Sequence, residues 1–248
     1  MKNKISKIIL CTFLVLTLLG NTCFAVTNAD QKPDQLIKYE NWLNTKLTSS
    51  AGDEKVATQN FINQFNALSK INQEKFVEYM TNEASLKTIV KEITTSNTNK
   101  TLLNGDFLVK VNQSVNEKLS PLSREKSNLL TGTYAVSSSV STRASYTRTG
   151  YLLGVAMLEM MFYVDYSYVP ASYISSINGY NVLTLRCFVP LTITYSNTQG
   201  KILSNKAYCT SDFTFCALVD WAPLTVASGE GGVWGDVFGS SAGWVTQY

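Results

Sequence analysis

The 248-residue sequence contains no histidine. Histidine is the side chain that titrates nearest neutral pH, and it is the general base of Ser-His-Asp and Cys-His hydrolases. Its absence excludes those mechanisms, together with zinc sites that need histidine ligands. A phosphate-binding glycine loop and a dinucleotide fingerprint are missing as well. The sequence therefore indicates no catalytic residue, no metal ligand and no cofactor, and it favours a non-enzymatic protein.

The first 25 residues have the three-part layout of a secretory signal. Lys2, Lys4 and Lys7 form a charged start, residues 8–20 are almost entirely apolar, and the segment ends on Cys23-Phe24-Ala25. The apolar run is shorter than the ~20 residues that a spanning helix needs. We therefore predict a signal peptide over residues 1–25, cleavage near Ala25, a secreted protein and no stable membrane span after cleavage.

Basic charge is scarce once this leader is set aside. Of the 21 lysines and arginines, three lie in residues 1–25, which contain no acidic side chain. The remaining 18 basic residues balance the 18 aspartates and glutamates. Since nucleic-acid binding requires a basic patch, we expect no nucleic-acid partner.

Residues 26–130 predict a helical domain. This part is rich in Lys, Glu, Gln, Asn and Leu, with apolar residues at the 3.6-residue spacing of amphipathic helices. Five short helices are expected, and the fifth should stop before Pro121. Their apolar positions are, in order, Leu36, Leu43 and Leu47; Phe61, Phe65 and Leu68; Phe76 and Met80; Leu86, Ile89, Val90 and Ile93; and Phe107, Leu108, Val111 and Val115.

Residues 131–248 predict an antiparallel β-sandwich domain. The composition changes to Ser, Thr, Tyr, Val and Gly, and apolar residues alternate with polar ones, which is typical of strands. Hairpin turns are expected at Asn178-Gly179 and at residues 197–200. The predicted fold class is α+β: an N-terminal small α-helical bundle followed by a C-terminal antiparallel β-sandwich.

Three cysteines remain after residue 25, namely Cys187, Cys209 and Cys216. An exported protein usually meets an oxidising compartment, where one disulfide and one free thiol would use all three. A hairpin folded about residues 197–200 would bring Cys187 opposite Cys209. We therefore predict a Cys187–Cys209 disulfide, with three buried free thiols as the alternative.

The C-terminal segment concentrates the candidate binding residues. It holds three of the four tryptophans, Trp221, Trp234 and Trp244, close to Asp220 and Asp236. An indole face beside carboxylates suits a sugar ring, because the ring stacks on the indole and its hydroxyls bind the carboxylates. The alternative is that the tryptophans are core residues. The leading hypothesis is a secreted binding or interaction protein, with a cell-wall glycan or another protein as its partner.

Two other functions stay open at this stage. The hydroxyl-rich residues 133–149 and the apolar residues 151–168 could form an inserting hairpin of a membrane-perturbing toxin or antimicrobial. Alternatively, Asp220 and Asp236 could act as the acid and base of a glycoside hydrolase, a mechanism that needs no histidine.

Overall fold

A computed structural model describes residues 33–118, 139–219 and 222–248, and it begins with four short helices. Side chains fix the start of two of them: Ser69 accepts a hydrogen bond from the backbone N–H of Asn72 at 3.3 Å, and Asn82 accepts from that of Ser85 at 3.0 Å. The helices are α1 (Asp34–Ser49), α2 (Gly52–Asn66), α3 (Lys70–Thr81) and α4 (Glu83–Thr95).

The apolar stripes of these helices meet in a core of aromatic rings. Tyr39, Phe61, Phe65 and Phe76 are fully or almost fully buried, and the Phe65 and Phe76 rings meet edge to face at 5.4 Å. Such ring pairs add stabilisation beyond the area that they bury. The first four predicted helices are thereby confirmed.

Two antiparallel sheets follow the helices. Five strands pair in chain order in one sheet and four pair in chain order in the other. The α+β fold class is confirmed. The strands are β1 (Lys100–Leu102), β2 (Phe107–Lys118), β3 (Val140–Leu152), β4 (Val155–Val169), β5 (Tyr173–Cys187), β6 (Leu191–Leu203), β7 (Lys206–Val219), β8 (Ala222–Asp236) and β9 (Ser241–Gln247).

The predicted fifth helix is wrong, because its residues form β2. Phe107, Val111 and Val115 are four residues apart, and this spacing places side chains on one face of a helix and equally on one face of a strand. In the sheet, Phe107 and Val109 are fully buried while Lys110 is exposed, which is the two-residue alternation of a strand.

Glycines on the inner face of the four-stranded sheet make room for aromatic rings from the five-stranded sheet. A Cβ atom at any of three glycines would come within 3.0 Å of the facing ring, closer than real Cβ contacts occur. Large aromatic side chains of one inner face therefore fill the space that glycines leave on the other. The pairs are Gly231 with Phe162, Gly235 with Tyr166, and Gly243 with Tyr146.

Buried contacts attach the helices to the sheets. The hydroxyl of Tyr39 on α1 donates to the carbonyl of Phe188 at 2.5 Å. The ring of Phe61 on α2 stacks on that of Phe188 with centroids 4.3 Å apart. Ile93 on α4 packs over Gly150 on β3, where a Cβ would lie 2.7 Å from its Cδ1 atom.

The Cys187–Cys209 disulfide is also wrong, because the hairpin turn lies elsewhere. Residues 197–198 form a bulge inside β6, and the chain reverses at Ser204 and Asn205, both in the left-handed backbone region. Cys209 thus lies opposite Gly200, and its thiol donates to the carbonyl of Asn181, six residues before Cys187 on β5. Six strand residues span roughly 20 Å, far beyond disulfide reach. Cys187, Cys209 and Cys216 are free thiols.

Asn178 forms a bulge inside β5, so the turn expected at Asn178-Gly179 is wrong. The segments that the toxin hypothesis takes as an inserting hairpin, residues 133–149 and 151–168, contribute to β3 and β4. In the sheet, β3 is paired on both sides. Residues 133–138 lie outside the described residues. The signal peptide and the domain boundary near residue 130 also lie outside them, and they stay predictions.

Candidate functional site

The outer face of the four-stranded sheet carries three aromatic side chains that strand pairing brings together. Tyr208 on β7 lies opposite Trp234 on β8, and Trp244 on β9 lies opposite Gly232 on β8. The inner face is marked by fully buried residues such as Val233, whereas the three rings are partly exposed. We call Tyr208, Trp234 and Trp244 the aromatic face.

The indole of Trp244 covers the backbone of the neighbouring strand. A Cβ built on Gly232 would lie 2.6 Å from its Cη2 atom and 2.7 Å from its Cζ2 atom, so the ring occupies the space above this glycine. Tyr208 meets the same ring edge to face at 6.2 Å. The six-membered ring of the indole is thus held against the sheet at Gly232, and the side chain as a whole stays partly exposed.

The ring of Trp234 has a cation as its neighbour. The ammonium nitrogen of Lys206 lies 3.6 Å from the ring centroid, well inside the range of a cation–π interaction. This contact fixes the indole and places a positive charge beside the aromatic face.

Two carboxylates stand next to the aromatic face. Asp212 on β7 pairs directly with Glu230 on β8, and Glu230 lies two residues from Gly232 along β8. The side-chain amide of Asn197 donates to Asp212 at 2.6 Å. Desolvation raises the pKa of Tyr248 above its usual value, and the negative charges of Glu230 and Asp212 raise it further. The site therefore combines aromatic surface with hydrogen-bond acceptors.

Trp234 and Trp244 are the residues predicted from the sequence that meet at this site. Asp236 lies at the end of β8, where its Oδ1 atom accepts from the backbone N–H groups of Phe238 and Ser240, each at 2.9 Å. Its carboxylate therefore shapes the turn into β9. The other two predicted residues, Asp220 and Trp221, lie outside the described residues.

The sequence pattern did not mark Tyr208, Lys206 or Asp212 as partners of the tryptophans, whereas Glu230 was expected beside them. Tyr208 precedes Trp234 by 26 positions, and only the pairing of β7 with β8 makes them neighbours. The usable signal was the alternation along β7, which places Lys206, Tyr208 and Asp212 on one face.

Two other carboxylates of the β region are ion-paired on the outer face of the five-stranded sheet. Asp165 accepts two hydrogen bonds from Arg143, at 2.6 and 2.7 Å, and Glu159 contacts Arg186 at 2.9 Å. These pairs fix strand register, since both partners of each pair lie on adjacent strands.

A polar groove runs between α2 and the end of β5. Two adjoining cavities of about 560 and 640 Å³ share Asp53, Ala57, Arg186 and Phe188 as lining residues. Lys46 and Glu54 form an ion pair at its side, at 3.0 Å. Neither cavity is lined by a residue of the aromatic face, so the groove is a separate feature.

Within residues 33–118, 139–219 and 222–248, the structure groups no three Cys, Asp or Glu side chains that could hold a metal ion. Comparison with known proteins gives no further guide: no family model, no curated protein and no solved structure matches the chain.

Proposed function

We propose that this chain is an exported, non-enzymatic binding protein that holds its ligand on the aromatic face. The supporting observation is that Tyr208, Trp234 and Trp244 lie together, partly exposed, on the outer side of a sheet. Large rings on one surface are a typical ligand contact, because they supply much apolar area at little cost in side-chain entropy. Export rests on the leader sequence of residues 1–25.

A cell-wall glycan is the ligand that this chemistry favours. The partly exposed indole of Trp244 suits the flat apolar side of a sugar ring, which stacks on indole. Asp212 and Glu230 offer carboxylate oxygens to sugar hydroxyls, and Lys206 offers an ammonium donor. A protein partner is the alternative for the same surface.

The test is binding to isolated cell-wall polysaccharide and to a glycan array, using the chain from residue 26 onward. Trp244→Ala and Trp234→Ala should each weaken binding about tenfold or more, as loss of a central aromatic contact does. The matched control is Tyr151→Ala, since Tyr151 is a partly exposed ring of the other sheet that also lies beside a lysine, Lys110, at 4.8 Å. Binding that survives both tryptophan changes, or that Tyr151→Ala removes equally, would refute the proposed surface.

A glycoside hydrolase is the second candidate, and one observation favours it. Asp212 and Glu230 pair across strands, and paired positions hold Cβ atoms about 4.5–5.5 Å apart. Retaining glycosidases separate their carboxyl groups by about 5–5.5 Å, a separation that the side chains of a directly paired Asp and Glu can span. Incubation with cell-wall oligosaccharides should give no new reducing ends if the protein only binds. Product that disappears in Glu230→Gln would establish the hydrolase instead.

A further inference from the structure

Three hairpin turns lie together at one end of the sandwich. They join β4 to β5 at residues 170–172, β6 to β7 at residues 204–205, and β8 to β9 at residues 237–240. The backbone N–H of Ala171 donates to the carbonyl of Val237 at 3.4 Å, and the side-chain amide of Asn205 donates to the carbonyl of Ser172 at 2.7 Å. These contacts make the first turn a neighbour of both others.

Each turn carries a large apolar side chain into solvent. Tyr173 is 52% exposed, Leu203 is 58% exposed and Phe238 is 75% exposed. Turns normally carry Gly, Asn, Asp, Ser or Pro, and an exposed apolar cluster is a sign of an interaction site. We call Tyr173, Leu203 and Phe238 the apolar tips.

The turns order the backbone that carries Leu203 and Phe238. Phe238 follows Asp236, whose carboxylate accepts from the backbone N–H groups of Phe238 and Ser240. Leu203 precedes Ser204 and Asn205, whose left-handed conformations form a tight two-residue hairpin. A surface that is already ordered loses little conformational entropy when it binds.

Two lysines and one carboxylate lie beside the tips. Lys206 pairs with Leu203 across the hairpin, and the exposed Lys201 lies two residues before Leu203. The nearby Asp236 carboxylate is engaged by backbone N–H groups. Aromatic and aliphatic side chains flanked by lysine are typical of segments that enter the boundary between lipid headgroups and acyl chains.

We propose that the apolar tips insert into the surface of a lipid bilayer and attach the protein to it peripherally. The three side chains are carried on separate turns at the end of the sandwich, an arrangement that enters a fluid layer without a shaped partner. No described helix is long and apolar enough to cross a membrane. The proposal does not rest on the function proposed above, because none of the apolar tips belongs to the aromatic face, and Leu203 and Lys206 lie on the same outer face of the four-stranded sheet as Tyr208.

Vesicle flotation of the chain from residue 26 onward tests the proposal. Vesicles of phosphatidylcholine, with and without phosphatidylglycerol, should both bind the protein, and raised salt should leave most of the binding intact because apolar insertion dominates. Phe238→Ser should lower the partition coefficient about tenfold, and the pair Leu203→Ser with Phe238→Ser about a hundredfold. Ile71→Ser is the matched control, since Ile71 is also 75% exposed but lies on α3.

Fluorescence quenching by lipids tests insertion of Phe238 directly. Phe238→Trp should retain binding, and its added fluorescence should be quenched by lipids with brominated acyl chains. The proposal is overturned by no binding to either vesicle, by binding only to phosphatidylglycerol that salt abolishes, or by equal loss in Ile71→Ser. It is also overturned if Phe238→Ser dissolves a self-associated form in the absence of vesicles.

Discussion

The guanidinium of Arg148 on β3 donates through Nη1 to the backbone carbonyl of Ile93, in the last turn of α4. Its Nη2 atom donates to the carbonyl of Ser96 just beyond that helix, and its Nε atom donates to the hydroxyl of Tyr146 at 2.8 Å. Arg148 is fully buried, and burial lowers its pKa below the usual value. A cation at the end of a helix is stabilised by the helix dipole and satisfies carbonyls that the helix leaves unpaired.

Replacing Arg148 should therefore loosen α4 from the five-stranded sheet. Arg148→Met should lower the free energy of unfolding by about 3 kcal/mol, because the buried carbonyls of Ile93 and Ser96 lose their donors. Urea unfolding of the variant and the original protein measures this loss of stability. Arg143→Met on the same strand is the control: its partly exposed pair with Asp165 should contribute less than about 1 kcal/mol. Equal losses in both variants would contradict this role for Arg148.

The fit between the two sheets predicts a second effect. Gly231→Ala should cost about 1–3 kcal/mol, because the added methyl group overlaps the ring of Phe162. Phe162→Leu removes the ring atom nearest the new methyl group, so the double variant should lose less stability than the sum of the single losses. Gly179→Ala is the control, since its Cβ would make an ordinary 3.4 Å contact with Asp165. Additive losses would argue against the contact.

The free thiols should differ in reactivity. Burial raises the pKa of Cys187 and of Cys209 to about 11, so at pH 8 roughly 0.1% of each is the reactive thiolate. Cys187 and Cys216 are both partly exposed, but the Cys187 thiol donates to the carbonyls of Val189 and Leu191, so we expect Cys216 to react first with a thiol reagent. Peptide mapping after brief alkylation checks the order. All three should react after denaturation without a reductant, and a missing thiol would point to a disulfide.

Stability should fall in alkaline solution. The thiols of Cys187 and Cys209 have folded-state pKa values raised to about 11, so the unfolded chain releases these protons at a lower pH than the folded one. The two protonated thiols therefore make their full contribution to the free energy of unfolding below the pKa that they have in the unfolded chain. This contribution decreases as the pH rises from about 9 to 11, by roughly 1–3 kcal/mol per pH unit. Unfolding curves at several pH values measure the slope. The slope should become shallower in the Cys187→Ala, Cys209→Ala double variant.

The sequence predicted the helices well because their apolar residues repeat over twelve or more positions with one period. It failed at Phe107, Val111 and Val115, since a four-residue spacing serves both helix and strand. The wrong disulfide has a related cause: Asn197 has the composition of a turn but lies in a bulge, and the turn at Ser204 and Asn205 was overlooked.

The candidate site was predictable in part. Trp234 and Trp244 are ten residues apart, so their proximity needed only a hairpin. Tyr208 and Asp212 joined them through the register of another strand pair, which composition does not encode. Arg148 was missed because it lies in a hydroxyl-rich segment that resembles exposed chain, and its partners, Ile93 and Ser96, precede it by more than fifty residues.

The glycines of β8 and β9 also affect how the chain folds. Glycine has low intrinsic strand propensity, so Gly231, Gly235 and Gly243 give these strands little tendency to form alone. They become stable when rings such as Tyr146, nearly a hundred residues earlier, are already in place. Contacts at such separation carry a large loop-closure cost and make folding slow. We therefore expect the four-stranded sheet to reach its final packing only after the five-stranded sheet supplies the surface for it.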